Sequence, residues 1–217
     1  MPTDMPFDQL IPDTRAFLSE LHANNTRDWF MEHKARYDSR LKGPSEVLLD
    51  VVAADLQQIT GQPVSPKLFR QQRDIRFSKD KTPYKTHLHM LWHVGEGLGR
   101  TAFYFGIELD RIVLGGGCMG MEKDKLVAYR KRVGGAKGKD LMRAISDASK
   151  SGIRFSEPEL KRVPAPFPAD HPQGDLLKHK SLTFWKELPA ETTDLRKSLK
   201  GGFASLMPLQ DWLMAIR

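Results

Sequence analysis

The sequence predicts an α+β fold, a single domain in which N-terminal and C-terminal helices pack on a central, mainly antiparallel sheet. Apolar residues recur at helical spacing through the first sixty residues and again after residue 120. Between these regions, residues 86–114 alternate apolar with polar or small residues, the period of a half-buried strand. No helical pattern separates these strands, which argues against the βαβ units of a parallel sheet.

The first sixty residues predict three helices. The first covers residues 13–24, and the second begins at Asn25, whose side chain suits an N-cap. The Gly43-Pro44 pair is expected to interrupt the second helix. Ser45 is expected to cap a third helix, and Gly61 is expected to end it.

The rest of the chain predicts a sheet followed mostly by helices. Residues 86–94 and 101–109 predict strands, and a short turn leads into a third strand at 112–114, as in an antiparallel hairpin. Beyond it we expect a Pro-rich loop over 155–179, a strand over 181–188, and helices over 122–133, 139–150, 191–200 and 203–216.

The composition is that of an ordinary globular protein, with 40% hydrophobic and 28% charged residues among 217. No stretch resembles a linker, so we expect one domain over residues 1–217, with a core of about 13–216. Residues 1–12 lack a basic export region, and no apolar stretch approaches the ~18 residues of a membrane span. These features predict a cytoplasmic protein outside the membrane. They do not indicate an oligomeric state.

Positive charge is concentrated in two stretches. The formal net charge is +7. Residues 67–85 contain seven Lys or Arg against two Asp, and residues 123–143 contain eight against two, so both stretches are strongly positive. An acidic partner is therefore expected.

Residues 70–85, which we call the basic segment, are the densest polar stretch. Arginine presents a fork of donors that matches carboxylate or phosphate oxygens, and lysine adds a mobile charge. We therefore expect a basic pocket for an anionic small molecule that bears phosphate or carboxylate, in a binding protein or an enzyme. The expected anion-binding residues are Arg70, Arg73, Arg76, Lys81, Tyr84, Lys85 and Arg27.

Other residues of the basic segment have supporting roles in this hypothesis. Asp74 and Asp80 are expected to orient the cations. Ile75, Phe77 and Pro83 are expected to anchor the segment against the core. The alternative is a solvated loop whose ion pairs contribute about 0–1 kcal/mol each.

The residues Arg73-Asp74-Ile75-Arg76-Phe77-Ser78-Lys79-Asp80-Lys81-Thr82-Pro83-Tyr84-Lys85 resemble the signature of an uncharacterised family, domain of unknown function 2461. Weaker similarities occur at Phe17-Leu18, Asn24 to Phe30, Tyr37, Gly115-Gly116-Gly117, and Asp170-His171-Pro172 with Leu177, Lys178 and Lys180. Together they extend from about residue 14 to 215. The resemblance implies a single-domain α+β protein, and it implies no activity or catalytic residue.

Four histidines and Asp74 are candidates for catalysis or metal binding. His171, which follows Asp170, and Asp74 are the candidates for proton transfer. His87, His89 and His93 share one strand face, but a metal would need further ligands from elsewhere, so no metal or cofactor is expected.

The sequence from Gly115 to Gly120 fits G-x-G-x-x-G, but without the βαβ context of a dinucleotide site. A tight turn is expected there, with a backbone nest for an anion as the alternative. Cys118, the one cysteine, excludes an internal disulfide and has no neighbouring base to make it a nucleophile.

The stretch of Asn24, Asn25, Arg27 and Trp29 has two interpretations. It is either a capped helix corner or the rim of the anion site.

Two other functions remain open. The first is nucleic-acid binding through residues 67–85 and 123–143, with Phe69, Phe77 and Tyr84 able to stack on bases. The second is a protein-interaction domain without a ligand.

Overall fold

The computed structural model describes residues 7–217 and contains one six-stranded antiparallel sheet in the order β1-β2-β3-β4-β6-β5. Its strands are β1 (Val64–Leu68), β2 (His87–Val94), β3 (Thr101–Glu108), β4 (Ile112–Cys118), β5 (Arg154–Phe155) and β6 (Leu182–Leu188). The helices are α1 (Leu10–Ala23), α2 (Arg27–Glu32), α3 (Lys34–Tyr37), α4 (Gly43–Thr60), α5 (Lys123–Gly134), α6 (Lys137–Lys150), α7 (Gly174–Leu177) and α8 (Leu195–Met214). The predicted α+β class and antiparallel sheet are confirmed.

The sheet has a helical face and an open face. In β2, alternate side chains from Leu88 to Val94 are buried, while the residues between them are half-buried. Trp92 shows what covers the buried face: its Nε1 donates to the carbonyl oxygen of Leu49 in α4 at 2.9 Å, and its ring meets Phe203 of α8 edge-on. The other face of β2 carries the histidines.

A buried ion pair joins the two helices on the helical face. Asp55 of α4 accepts hydrogen bonds from Arg196 Nε at 2.9 Å and from Lys200 Nζ at 3.2 Å, both on α8. Burial alone would raise the pKa of Asp55, but the hydrogen bonds and charges of Arg196 and Lys200 outweigh it and keep that pKa below its usual value. The Asp55 carboxylate therefore stays charged and ties α4 to α8.

The predicted interruption at Gly43-Pro44 is wrong. The chain continues from α3 through a π-helical turn, Asp38–Lys42, directly into α4. Pro44 lies in the first turn of α4, where its missing N–H costs little. Ser45 does not cap the helix, since its buried hydroxyl donates to the carbonyl oxygen of Leu41 at 2.6 Å. The predicted end at Gly61, in the left-handed conformation, is confirmed.

The two C-terminal helices that the sequence predicts are one helix, α8. Gly201 and Gly202 do not end it, because buried residues on both sides of them face the same core. Gly202 has a packing role, since a Cβ there would overlap the side chain of Leu114 in β4. Within residues 7–217, no helix is long and apolar enough to cross a membrane.

Candidate functional site

The basic segment leaves the sheet after β1 and returns as β2. Its two arms pair with each other: Arg73 N donates to Pro83 O and Lys85 N to Gln71 O, both at 2.9 Å. Gln71 is buried, and its side-chain amide donates to the carbonyl oxygen of Lys85. The segment is therefore a hairpin-like extension of the sheet edge.

Tyr84 and Asn25 fix the returning arm. The buried Tyr84 ring stacks on Phe30 of α2, with ring centroids 4.0 Å apart. Asn25 Nδ2 donates to Tyr84 O at 2.9 Å, and Tyr84 N donates to Asn25 Oδ1 at 3.1 Å, so the Asn25 amide pairs with the backbone as a strand would. Thr26 is the N-cap of α2, accepting from Trp29 N, and Asn25 is not.

This arrangement changes the roles of two aromatic residues. The Tyr84 ring, expected to contact the anion, lies in a core cluster with residues of α1 and α2. Phe77, expected to anchor the segment, is 96% exposed and points away from the core, so that prediction is wrong. Ile75 and Pro83 are half-buried.

Arg73, one of the predicted anion ligands, is held by side chains of its own segment. Its guanidinium donates to the carboxylate of Asp80 and to the hydroxyl of Thr82, and it contacts the Ser78 hydroxyl at 3.4 Å. Hydrogen bonds from the backbone of Thr82 and from Arg73 lower the pKa of Asp80 to about 2. This network shapes the turn and leaves Arg73 little capacity for a ligand.

Arg76 and Lys81 are occupied in the same way. Arg76 pairs with Asp74 through Nε–Oδ1 at 2.9 Å and Nη2–Oδ2 at 2.7 Å. These hydrogen bonds lower the pKa of Asp74, which makes the carboxylate a weak base for proton transfer. Lys81 Nζ donates to Ile75 O at 3.1 Å. Arg27 is exposed at the start of α2.

Two other cations, Lys67 and Lys85, lie over the ring of Phe69, and the charge of a third, Arg70, acts on Lys85. We call Lys67, Arg70 and Lys85 the cation cluster. Lys67 Nζ lies 5.0 Å and Lys85 Nζ 5.6 Å from the centroid of that ring. Lys85 Nζ also donates to the carbonyl oxygen of Arg70 at 3.0 Å. Burial and the charges of Arg70 and Lys67 lower the pKa of Lys85. Within residues 7–217, none of the three has a carboxylate within 4.0 Å.

Two histidines on the open face lie beside this cluster. The imidazoles of His87 and His89 stack with centroids 3.8 Å apart. His89 Nε2 is buried, lies 3.5 Å from Glu108 Oε1 and has no hydrogen-bond partner among the described residues. Burial and the neighbouring His87 lower the pKa of His89 to about 4, although Glu108 acts in the opposite direction. Both rings are therefore largely neutral near pH 7.

His93 lies apart from this pair, at the other end of β2. It borders a cavity of about 310 Å³ whose wall also includes Ser65, Glu96 and Arg100. That cavity includes none of the anion-binding residues that the sequence predicts. In the described part of the chain, no group of three or more His, Cys, Asp or Glu residues is arranged to hold a metal ion.

The remaining candidates have structural explanations. His171 Nδ1 accepts from Gln173 N at 3.1 Å, which orders the Pro-rich loop. The triple glycine is not a turn: Gly115, Gly116 and Gly117 are all in β4, paired with β3 and β6. Cys118 ends the same strand.

The comparisons with known proteins bear on the family. The family model described as conserved hypothetical protein (DUF2461) matches residues 13–212. The chain belongs to the DUF2461 family. Among curated proteins, no sequence matches the chain.

The stretch that resembles the DUF2461 signature, residues 73–85, is the hairpin-like extension. Its conspicuous cations Arg73 and Arg76 maintain the shape of the extension, and the cation cluster contains only its last residue, Lys85. The anion site that the sequence predicts does not include Lys67, Phe69 or Glu108, and the first two enter only through the nucleic-acid alternative. The alternation of β2 was visible in the sequence and shows which of its residues share a face. The pairing of β2 with β1 and β3 then places Lys67 and Glu108 on the same face of the sheet as the β2 histidines.

The second basic stretch in this DUF2461 chain, residues 123–143, uses several cations for packing. Lys125 is buried and its Nζ donates to the carbonyl oxygen of Arg100. The guanidinium of Arg132 lies 5.0 Å from the ring centroid of Trp212. The positive charge of this stretch is therefore not all available to a partner.

Proposed function

We propose that the protein binds an anionic small molecule, bearing phosphate or carboxylate, at the cation cluster of Lys67, Arg70 and Lys85. The observation that carries this proposal is that Lys67 and Lys85 lie over one phenyl ring and Lys85 contacts the backbone of Arg70, and that within residues 7–217 none of these three cations has a carboxylate within 4.0 Å. The proposal concerns binding and does not include a chemical step. A cytoplasmic location stays a prediction from the sequence.

Electrostatics favours a ligand over a purely structural role for the cluster. Ion pairs elsewhere in the basic segment neutralise their cations, as Asp74 does for Arg76. In the cluster, Lys85 is partly buried and repelled by Lys67 and Arg70, which lowers its pKa. An anion that contacts all three would relieve this repulsion, and charge-assisted hydrogen bonds to Arg and Lys are among the stronger polar contacts.

The test is isothermal titration calorimetry with sulfate, phosphate and citrate at low ionic strength. We expect Lys67→Gln, Arg70→Gln and Lys85→Gln each to weaken binding about tenfold or more, because each removes a charge-assisted contact. Lys139→Gln removes the same charge from exposed α6, on the helical side of the sheet, and is expected to leave affinity nearly unchanged.

Two results would contradict the proposal. One is the absence of binding by all three anions at millimolar concentration. The other is an equal loss of affinity in Lys139→Gln and Lys85→Gln, which would indicate an effect of net charge alone. If neither these anions nor oligonucleotides bind, a protein-interaction role gains support.

Nucleic-acid binding is a second candidate, and the exposed Phe77 favours it. This ring is 96% exposed among cations, with the Arg76 guanidinium 6.0 Å from its centroid. A base stacked on such a ring contributes about 1–3 kcal/mol.

We therefore expect Phe77→Ala to weaken binding of a single-stranded oligonucleotide about tenfold, as measured by fluorescence anisotropy. Met119→Ala, which alters another exposed apolar side chain, is the control and is expected to have no effect. If wild-type protein fails to bind at ~50 mM salt, this candidate is wrong.

A further inference from the structure

The stacked histidines border the cation cluster through the backbone and the ring of Phe69. Phe69 N donates to His89 O at 3.0 Å, and the two rings meet edge-on with centroids 6.5 Å apart. Phe69 is the ring on which Lys67 and Lys85 lie. A ligand that contacts the cluster therefore has the imidazoles of His87 and His89 as its neighbours on the sheet.

Several charged and titratable groups face this histidine pair. The basic segment contributes Lys85 and Arg73, whose charges disfavour an imidazolium at His87. Strand β3 contributes Glu108, which favours an imidazolium, and the Tyr104 ring, 5.1 Å from that of His89. The Glu108 carboxylate is shared with Arg111, whose Nε lies 2.8 Å from Oε2. Without a ligand, burial and the neighbouring cations outweigh Glu108 and lower the pKa of both rings, which favours the neutral pair.

In this neutral state, one buried nitrogen of the histidine pair has no hydrogen-bond partner among the described residues. His89 Nε2 is buried beside Glu108 Oε1 at 3.5 Å but makes no hydrogen bond among the described residues. A buried polar atom without a partner is costly and calls for an explanation. If the imidazole pair took up a proton, His89 could form an ion pair with the neighbouring carboxylate of Glu108.

We propose that the His87–His89 pair completes the anion site and takes up one proton when the ligand binds, so that the preferred ligand is a dianion of the phosphate-monoester or sulfate type. This inference rests on the proposed function of the cation cluster. The proton moves from solvent to an imidazole nitrogen, and no covalent bond of the ligand changes.

Three physical arguments support the stoichiometry and the ligand class. A bound anion adds negative charge beside the pair and offsets the cations that keep it neutral. Only one proton is taken up, because two imidazolium rings stacked at 3.8 Å would repel each other. A dianion is preferred over a monoanion because the Coulomb energy with each cation doubles with the charge of the ligand.

Linkage gives the sign of the pH dependence. Because binding raises the pKa of the pair, lower pH must strengthen binding by the same coupling. Affinity is therefore expected to increase as pH falls through the pKa of the complex, by up to about tenfold per pH unit for one proton. The increase stops below the pKa of the free pair, where the proton is already bound.

Sulfate is the probe for the experiment because it remains a dianion throughout the range from about pH 5 to 9, so any proton taken up goes to the protein. Calorimetry at one pH in two buffers of unequal ionisation enthalpy counts the protons, and titrations across that range give the slope. We expect about one proton taken up by the wild type and none by the double variant His87→Gln/His89→Gln, which still binds sulfate more weakly. His93→Gln, on the same face of β2, is expected to retain the uptake.

Methanesulfonate, which presents a similar group with a single charge, is the matched ligand control and is expected to bind at least tenfold more weakly than sulfate. Sulfate binding without proton uptake or pH dependence would overturn the inference and leave the anion site intact. Proton uptake that persists in the double variant would also overturn it. No sulfate binding by the wild type at any pH would overturn this inference, and the proposed anion site would fall with it if phosphate and citrate also did not bind.

Discussion

Replacing Gly117 with alanine is expected to destabilise the fold by about 2–6 kcal/mol. Gly117 has φ +118°, a conformation that L side chains rarely adopt, and forcing alanine into it stores about 1–3 kcal/mol of strain. A Cβ there would also overlap the carbonyl oxygen of Leu182 in β6, and relieving such an overlap costs about another 1–3 kcal/mol. The measurement is urea-induced unfolding monitored by circular dichroism.

Gly120→Ala is the matched control for this prediction. Gly120 also has a positive φ, +62°, but a Cβ there meets open space. Replacing Gly120 with alanine is expected to lower the free energy of unfolding only by the backbone strain of a left-handed alanine, about 1–2 kcal/mol. Equal losses for Gly117→Ala and Gly120→Ala would show that the close approach of β4 to β6 contributes nothing to the requirement for glycine.

Much of the fold follows from local patterns in the sequence. The alternation in β2 and β3 predicted two strands and their buried faces, because the period of two is a property of the strand itself. The antiparallel arrangement followed from the short connections between strands. The end of α4 at Gly61 followed from the left-handed conformation that glycine adopts easily.

The wrong predictions depend on contacts between residues far apart in sequence. A run of three glycines suggests a turn when read alone, but Gly116 faces Gln210 of α8, whose Nε2 a Cβ would overlap. Gly202 continues α8 because it lets the helix approach Leu114. Strand β1 is not among the strands that the sequence predicts. It contains Pro66, which is tolerated in an edge strand but interrupts the alternating pattern by which a strand is recognised.

For the candidate site too, local features could be predicted from the sequence and contacts formed by folding could not. The density of charge in residues 70–85 was visible in the sequence, which also led us to expect that Asp74 and Asp80 orient the cations. Which cations are neutralised depends on hydrogen bonds that only the folded hairpin defines, such as those from Arg73. The contribution of Lys67 depends on the register of β1 against β2.

Tyr84→Ala is expected to lower the free energy of unfolding by about 3–5 kcal/mol and to loosen the basic segment. The Tyr84 ring is buried and stacked on Phe30, and removing a buried aromatic ring leaves a cavity at about this cost. Tyr84→Phe keeps the ring and is expected to change stability by less than about 1 kcal/mol. Urea-induced unfolding of the two variants compares these values.

The same substitution tests whether the core contact positions the cation cluster. Lys85 follows Tyr84 directly, and its N–H donates to Gln71 O across the hairpin. If the stacked ring fixes this arm, Tyr84→Ala will accelerate hydrogen exchange at the amides of Arg73 and Lys85 and weaken sulfate binding under conditions where the protein remains folded. Unchanged exchange and affinity would mean that hydrogen bonds hold the arm without the stacked ring, and Asn25→Ala, which removes two of those hydrogen bonds, would then be expected to produce both effects.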